Sequence, residues 1–343
     1  MNENARYFKR TPLFHGNDIT VLTAMNAKEV EWLAHFMKGN FFQIPANYSL
    51  NSDLLYKTGQ IIGIDAASVA TVWALQLQPG LSCLDTCCAP GMKLSVIKDA
   101  MGDSGTAVGL DISEHRLDVC YNLMKKFGYP SLLKSIFKVG PGWTVDRNGG
   151  LNSESCEVDL FEKIRMRRKS GSRKFRLKKQ KIEHSSFTSP FQMRYDRVLV
   201  DAQCTHDGSE KHNEKHDRED GFWKRHSKSE KSREHYDTDD KLESLIALQR
   251  KLILNGFRML VPGGLMVYST CSLQSEQNEE VVQYLLDEVG DEATPGSLPF
   301  RVLGDTNSEL PLVPAKRVNA YSCLFEPETS GTSGQFIAVI RKK

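Results

Sequence analysis

Two cysteines stand where apolar, β-prone runs end. "VLVDAQC" (198–204) carries one strand-like run into Cys204, and "VYSTCSL" (267–273) carries another into Cys271. Free cysteine is often a small buried packing residue, and that reading holds for either thiol taken alone. Two thiols delivered to the same edge of a sheet suggest chemistry. A thiolate adding to carbon 6 of a pyrimidine makes carbon 5 nucleophilic. Carbon 5 can then attack an electrophilic methyl group, and loss of its proton with expulsion of the thiol restores the ring. This is covalent catalysis that divides one difficult step into easier ones. The thiol starts from a pKa of about 8.5, so nearby positive charge favours the reactive form. Lys93 is the candidate on the chain. Asp201, three residues before Cys204, is placed to hydrogen-bond a cytosine ring nitrogen and stabilise charge developing in the adduct. A base inside a duplex cannot enter such a pocket, so the substrate would be single-stranded or flipped.

A second cluster lies upstream. "LDTCCAPGMK" joins a short apolar run to a helical pattern, with Pro90 and Gly91 permitting a tight turn. Free N–H groups at the start of the following helix favour an anionic or polar ligand. Asp111 ends the next strand-like run, twenty residues beyond Gly91, where an acid commonly accepts hydrogen bonds from ribose hydroxyls. The glycines do not spell a dinucleotide fingerprint, and no phosphate-binding Gly-Lys-Ser/Thr loop is present. S-adenosylmethionine fits this pattern. An ordinary strand–helix turn is the simpler alternative.

The elements needed to position these residues are legible. From about residue 54, apolar runs ("LSCLD", "TAVGLD", "YDRVLVD", "PGGLMVYST", "GQFIAVIRK") alternate with helical patterns ("ASVATVWALQL", "MKLSVIKDAM", "SEHRLDVCYNLMKKFG", "LESLIALQRKLILNGFRML", "NEEVVQYLLDEV"). That rhythm predicts an α/β fold with a mostly parallel sheet and helices on both faces. Ligands bind such sheets beyond the carboxyl ends of the strands. Residues 1–53 form a short α/β extension, with Val30, Leu33, Ala34 and Met37 at helical spacing. Insertions at about 141–192 and 206–240 interrupt the main domain, 54–343. The first holds "KIRMRRKSGSRKFRLKKQK" (163–181), with eleven Lys or Arg and no acid. It reads equally as an RNA-backbone contact, a nuclear-import signal or a solvated insertion.

The bulk composition sets bounds. A chain of 343 residues, 40% hydrophobic, suits one large domain with insertions, and a net charge of +2 does not by itself announce nucleic acid. No apolar run reaches the roughly 18 residues of a membrane span, and "MNENARYFKR" lacks an apolar signal core. The eight cysteines (83, 87, 88, 120, 156, 204, 271 and 323) are too sparse for a disulfide scaffold and imply a reducing compartment. Neither Cys83, Cys87 and Cys88 nor His212 and His216 have metal-site spacing, so no metal is expected.

Together these pieces resemble the Nol/Nop/Sun family of RNA cytosine-5 methyltransferases. The resemblance runs over about residues 54–343, through "KTGQIIGIDAASVAT", "LDTCCAPGMK", "GLDIS", "LVDAQC", "LQRKLILNGFRMLVPGGLMVYSTCSL" with "EQNEEVV", and "SGTSGQFIAVIRK". It implies a Rossmann-like methyltransferase fold using S-adenosylmethionine to make 5-methylcytosine in tRNA or rRNA. By the same resemblance Cys271 is the nucleophile, Cys204 assists breakdown of the adduct, and Asp201 holds the cytosine. Cys88, Ala89, Pro90, Gly91, Met92, Lys93, Asp111 and Asp201 would line the cofactor. The chain departs from the family pattern at Gln203, where proline is usual, at Met92, where glycine is usual, and at Cys88, where alanine is usual. No acid follows the third strand; Asp146 is the nearest. These departures support an alternative, a catalytically weakened RNA-binding scaffold of the same fold. A DNA or protein methyltransferase is disfavoured by the Thr270–Cys271 pair. The short N-terminal piece leaves target choice to the insertions or to an RNA-targeting protein partner. A nuclear or nucleolar location is favoured, with cytoplasmic or organellar as alternatives.

Overall fold

The computed structural model describes residues 6–14, 19–140, 143–146, 193–209, 239–306 and 309–343. Most of both expected insertions, including the basic run, Cys156, His212 and His216, lies outside these residues.

Four short strands open the chain: β1 (Arg6–Arg10), β2 (Lys28–Glu29), β3 (Phe41–Ile44) and β4 (Ile61–Gly63), in the antiparallel order β2-β3-β1-β4. The expected helix near residue 30 is shorter than its spacing suggested. Glu31–Leu33 form a 3-10 turn and Ala34–Met37 one α-helical turn, while Lys28 and Glu29 pair with β3 instead. The sheet takes β4 from beyond the expected boundary at residue 53, because Phe8, Lys9 and Arg10 pair with Gly63, Ile62 and Ile61.

The rest of the chain alternates. Helix α1 (Ala66–Trp73) is capped by Asp65, whose Oδ1 accepts from Ala67 N at 2.9 Å. Strand β5 (Ser82–Asp85) leads into α2 (Met92–Met101), β6 (Thr106–Asp111) into α3 (Glu114–Lys126), and then come β7 (Ile136–Lys138) and β8 (Tyr195–Asp201). Helix α4 (Asp239–Arg258), β9 (Leu260–Thr270) and α5 (Glu279–Val289) follow. The chain ends in β10 (Ala293–Pro295), β11 (Arg301–Leu303), β12 (Leu312–Asn319), β13 (Ser322–Phe325) and β14 (Gln335–Lys342).

These strands build one sheet in the order β11-β12-β13-β14-β9-β8-β5-β6-β7, with β10 beside β14. Its centre, β9-β8-β5-β6-β7, is parallel, and β14 closes it antiparallel to β9. Successive residues feed opposite faces, as the pleat requires. Cys83, Ala107, Leu199 and Val267 join a core with α1, α2 and α3. Leu84, Val108, Val198 and Tyr268 join the other with α4 and α5. Helices on both faces of a mostly parallel sheet match the expected α/β fold. Strands β10 to β13 were not anticipated. Pro314 interrupts β12, and the β11–β12 register slips there, from Arg301 opposite Leu312 to Leu303 opposite Lys316, as a strand proline requires.

A buried lysine joins the N-terminal sheet to helix α2. Lys9 on β1 is fully buried, and its Nζ donates to Asp99 Oδ2 on α2 at 2.5 Å and to the Tyr129 hydroxyl. Tyr7 adds a hydrogen bond to Gly331 O at 2.8 Å.

Candidate active site

Parallel strands deliver their carboxyl ends to one edge, and three neighbours end there in an acid: Asp85 on β5, Asp111 on β6 and Asp201 on β8. The β5–α2 loop crosses this edge. Gly91, the residue before α2, has φ +102°, and a Cβ there would sit 2.8 Å from Cys120 Sγ, so only glycine fits this turn. Asp111 is almost fully buried and organises the loop. Its Oδ2 accepts from Ala89 N at 3.3 Å and its Oδ1 from Ser113 N at 2.9 Å. Arg116 lies over it at 3.6 Å and donates to Ala89 O.

The expected cofactor residues divide into two sets. The Ala89–Gly91 backbone, Lys93 and the carboxylates occupy the sheet edge. Cys88 is buried against Cys120 and Gly109, so it offers only backbone to a ligand. Met92, where glycine is usual, packs against the core below the loop. The third acid remains absent among the described residues: β7 runs into buried Val139, and Asp146 is exposed.

Asp201 is the hub. Lys93 Nζ lies 2.7 Å from its Oδ2, Ser269 Oγ donates to its Oδ1 at 2.7 Å, and Gln335 Nε2 reaches Oδ1 at 3.4 Å. Burial lowers the Lys93 pKa, but Asp201, Cys271 and Asp85 outweigh it, and the ammonium is held above its ordinary value. Asp85 is buried and pushed up to about 7, first by burial and then by Asp201.

The two cysteines meet here. Cys204 Sγ and Cys271 Sγ are 3.1 Å apart. His206, unanticipated from the sequence, places Nδ1 2.9 Å from Cys271 Sγ and 3.7 Å from Cys204 Sγ. Cys204, His206 and Cys271 thus form one cluster of mutually contacting ligand-type groups, which the sequence reading of no metal site did not anticipate. The thiols behave as a unit that loses one proton readily and the second with difficulty. The hydrogen bond from Cys271, then His206 against burial, pulls Cys204 down to about 5. The same bond, with burial, raises Cys271. His206 is raised by its bond to Cys204, against burial.

Gln277, fully buried, ties the two cysteine loops together. Its Oε1 accepts from Thr205 N at 3.1 Å, and its Nε2 reaches Thr205 Oγ1 at 2.9 Å and Ser272 Oγ at 3.1 Å. Gln249 of α4 donates to Gln203 O at 2.8 Å. Side chains thus hold the segment where a proline was expected. Asp85 and His206 were missed, yet both left signals: Asp85 ends its strand as Asp111 and Asp201 do, and His206 follows Cys204 by two residues.

The fold and this edge are those of the Rossmann-like methyltransferase fold. The sequence profile of the family described as 16S rRNA methyltransferase RsmB/F matches residues 169–339. The chain is 30% identical over 220 residues to bovine "5-cytosine rRNA methyltransferase NSUN4", covering 64% of this chain and 43% of that protein. It is 24% identical over 266 residues to the "tRNA (cytosine(49)-C(5))-methyltransferase" of Pyrococcus abyssi, covering 77% of this chain and 65% of that one. A solved methyltransferase homolog from Pyrococcus horikoshii superposes with a TM-score of 0.60 at 22% identity, over 99% of this chain and 87% of that chain; this likeness concerns the fold. The chain is thus similar to the Nol/Nop/Sun family of RNA cytosine-5 methyltransferases. It spans less than two thirds of the length of the curated relatives it matches. Among the described residues, no helix is long and apolar enough to cross a membrane.

Proposed function

We propose that this chain is an S-adenosylmethionine-dependent RNA methyltransferase that forms 5-methylcytosine in tRNA or rRNA through a covalent cysteine adduct. The observation that carries the reading is the meeting of Cys204 and Cys271, from the ends of neighbouring strands, beside Asp201.

The donor set fits the cofactor. Asp85 and Asp111 are acceptor carboxylates at adjacent strand ends, suited to ribose hydroxyls and to a cationic centre, and the Ala89–Gly91 backbone borders them. When bound, S-adenosylmethionine supplies an electrophilic methyl group. The chain does the rest. Cys271 adds to carbon 6 of the cytosine and activates carbon 5. Asp201, fixed by Lys93, Ser269 and Gln335, hydrogen-bonds the ring and stabilises charge developing in the adduct. Cys204 assists removal of the carbon 5 proton and release of the product. RNA is the macromolecular partner. The basic run 163–181 supports contact with the RNA backbone and a nuclear or nucleolar location, and target choice falls to the insertions or to an RNA-targeting protein.

The test is incubation of the purified protein with total RNA and labelled S-adenosylmethionine, followed by nucleoside separation. Label in 5-methylcytidine that vanishes in Cys271→Ala, with RNA trapped on Cys204→Ala, is the expected result. RNA binding without methyl transfer, unchanged in both cysteine variants, would replace this reading with a non-catalytic scaffold.

A further inference from the structure

The proposed reaction leaves one proton unassigned. Cys271 must be a thiolate to attack, and an ordinary thiol, with a pKa of about 8.5, is mostly protonated at neutral pH. Lys93 is engaged by Asp201 at 2.7 Å, so its help to the sulfur is through space. His206 is the nearer group, with Nδ1 2.9 Å from Cys271 Sγ.

The backbone holds the ring there at a cost. His206 has φ +62°, a left-handed conformation uncommon for residues other than glycine, although histidine is among those enriched there. The surrounding loop imposes it. Thr205 N is held by Gln277 Oε1 at 3.1 Å, Ser209 N bonds His206 O at 2.9 Å, and Gly208 N bonds Cys271 O at 3.0 Å. The Gly208–Cys271 bond locks the histidine loop to the cysteine loop.

We infer that His206 is the general base that takes the Cys271 thiol proton, an inference that rests on the proposed methyltransferase reaction. The S–H bond breaks with its electron pair left on sulfur, and the proton moves to Nδ1, giving a thiolate–imidazolium pair. Sulfur then spends that pair on the bond to carbon 6. When that bond breaks, the pair returns to sulfur and the proton can return from Nδ1. Cys204 Sγ, 3.1 Å from Cys271 Sγ, belongs to the same hydrogen-bonded cluster, so the proton is shared among three groups. The charges around the ring suit this transfer. Asp201 on β8 favours the imidazolium and Arg116 on α3 opposes it, while Lys93 on α2 favours the thiolate. The histidine is held above its ordinary pKa first by its bond to Cys204, so the ring serves the thiol pair, and Cys271 is the nearer of the two sulfurs.

The test needs neither RNA nor cofactor. Alkylation of Cys271 by iodoacetamide is followed by peptide mass spectrometry from pH 5.5 to 9.5, with chelator present, in the full-length protein and in His206→Asn. Asparagine tolerates the left-handed backbone and keeps a hydrogen bond, but takes no proton at these pH values. The wild-type rate should be nearly flat above about pH 6. The variant should react at least tenfold more slowly at pH 6.5 and converge with wild type above pH 9. Added imidazole should restore part of the rate in His206→Gly. Superimposable profiles in wild type and His206→Asn would overturn the assignment, as would wild-type alkylation confined to Cys204. Wild-type protein that shows the expected profiles yet methylates no RNA would sink the proposed function and leave the acid–base pairing standing.

Discussion

Cys204 and Cys271 are 67 residues apart in the chain, and their sulfurs lie 3.1 Å apart. The parallel pairing of β8 with β9 aligns Asp201 with Ser269, so both thiols emerge just beyond one sheet edge. The site is therefore a property of strand order.

Lys93 is the side chain that fixes Asp201 Oδ2, at 2.7 Å. Lys93→Met should lower kcat/KM for methyl transfer by about 10²-fold or more, since an electrostatic partner preorganised at the reacting centre contributes on that scale. Steady-state kinetics with RNA as the varied substrate would check this. An unchanged kcat/KM would remove Lys93 from the machinery.

Asp85 carries a pH signature. Its pKa rises from about 3.8 to about 7 on folding, so the folded protein binds more protons than the unfolded chain between those values. Its stabilising contribution is present in full below about pH 4 and is lost as pH rises through about 7. Asp85→Asn should therefore match wild type near pH 4 and exceed it at pH 8 by roughly 1–3 kcal/mol. Urea melts at the two pH values measure the difference, and equal midpoints at pH 8 would contradict the shift.

Gln277 holds the two cysteine loops in register. Gln277→Leu keeps a similar volume but leaves Thr205 N without its acceptor. About a tenfold or larger loss of kcat, with the far-ultraviolet spectrum unchanged, is expected because small misplacements of reacting groups are costly. Wild-type kcat in the variant would show that the loops hold their positions without it.

Lys9 clips the N-terminal sheet to α2, the helix that begins at the cofactor loop. Lys9→Met leaves Asp99 with only the Tyr129 hydroxyl, at 3.0 Å, and should cost about 3 kcal/mol, the lower end for a broken buried pair because Asp99 keeps that bond and some exposure. Lys9→Met with Asp99→Leu should recover part of that loss. Chemical denaturation of both variants decides it.

Much of this protein is written locally. Alternating apolar runs and helical periods marked four parallel strands, the antiparallel β14 and the helices between them, because the two periods differ and a two-face-buried strand is nearly all apolar. β7 and the β10–β13 strands escaped that signal. They are short, and β12 contains Pro314, which ordinarily argues against a strand. In the N-terminal extension, helical spacing near Leu33 yielded to pairing of Lys28 and Glu29 with β3, an instance of tertiary contacts overriding local preference.

The sequence by itself determined which groups reach the carboxyl edge: Cys204, Cys271, Asp201, Asp111 and the Ala89–Gly91 turn all follow strand-like runs. It also set the departures at Gln203, Met92 and Cys88. Only the tertiary structure decided what those groups do to one another. It turned Met92 and Cys88 toward the core, engaged Lys93 with Asp201, and set His206 between two thiols. The reason is physical. Periodicity records which face of an element is buried, a short-range property, whereas distances between side chains on different strands depend on sheet order and register, which long-range pairing fixes.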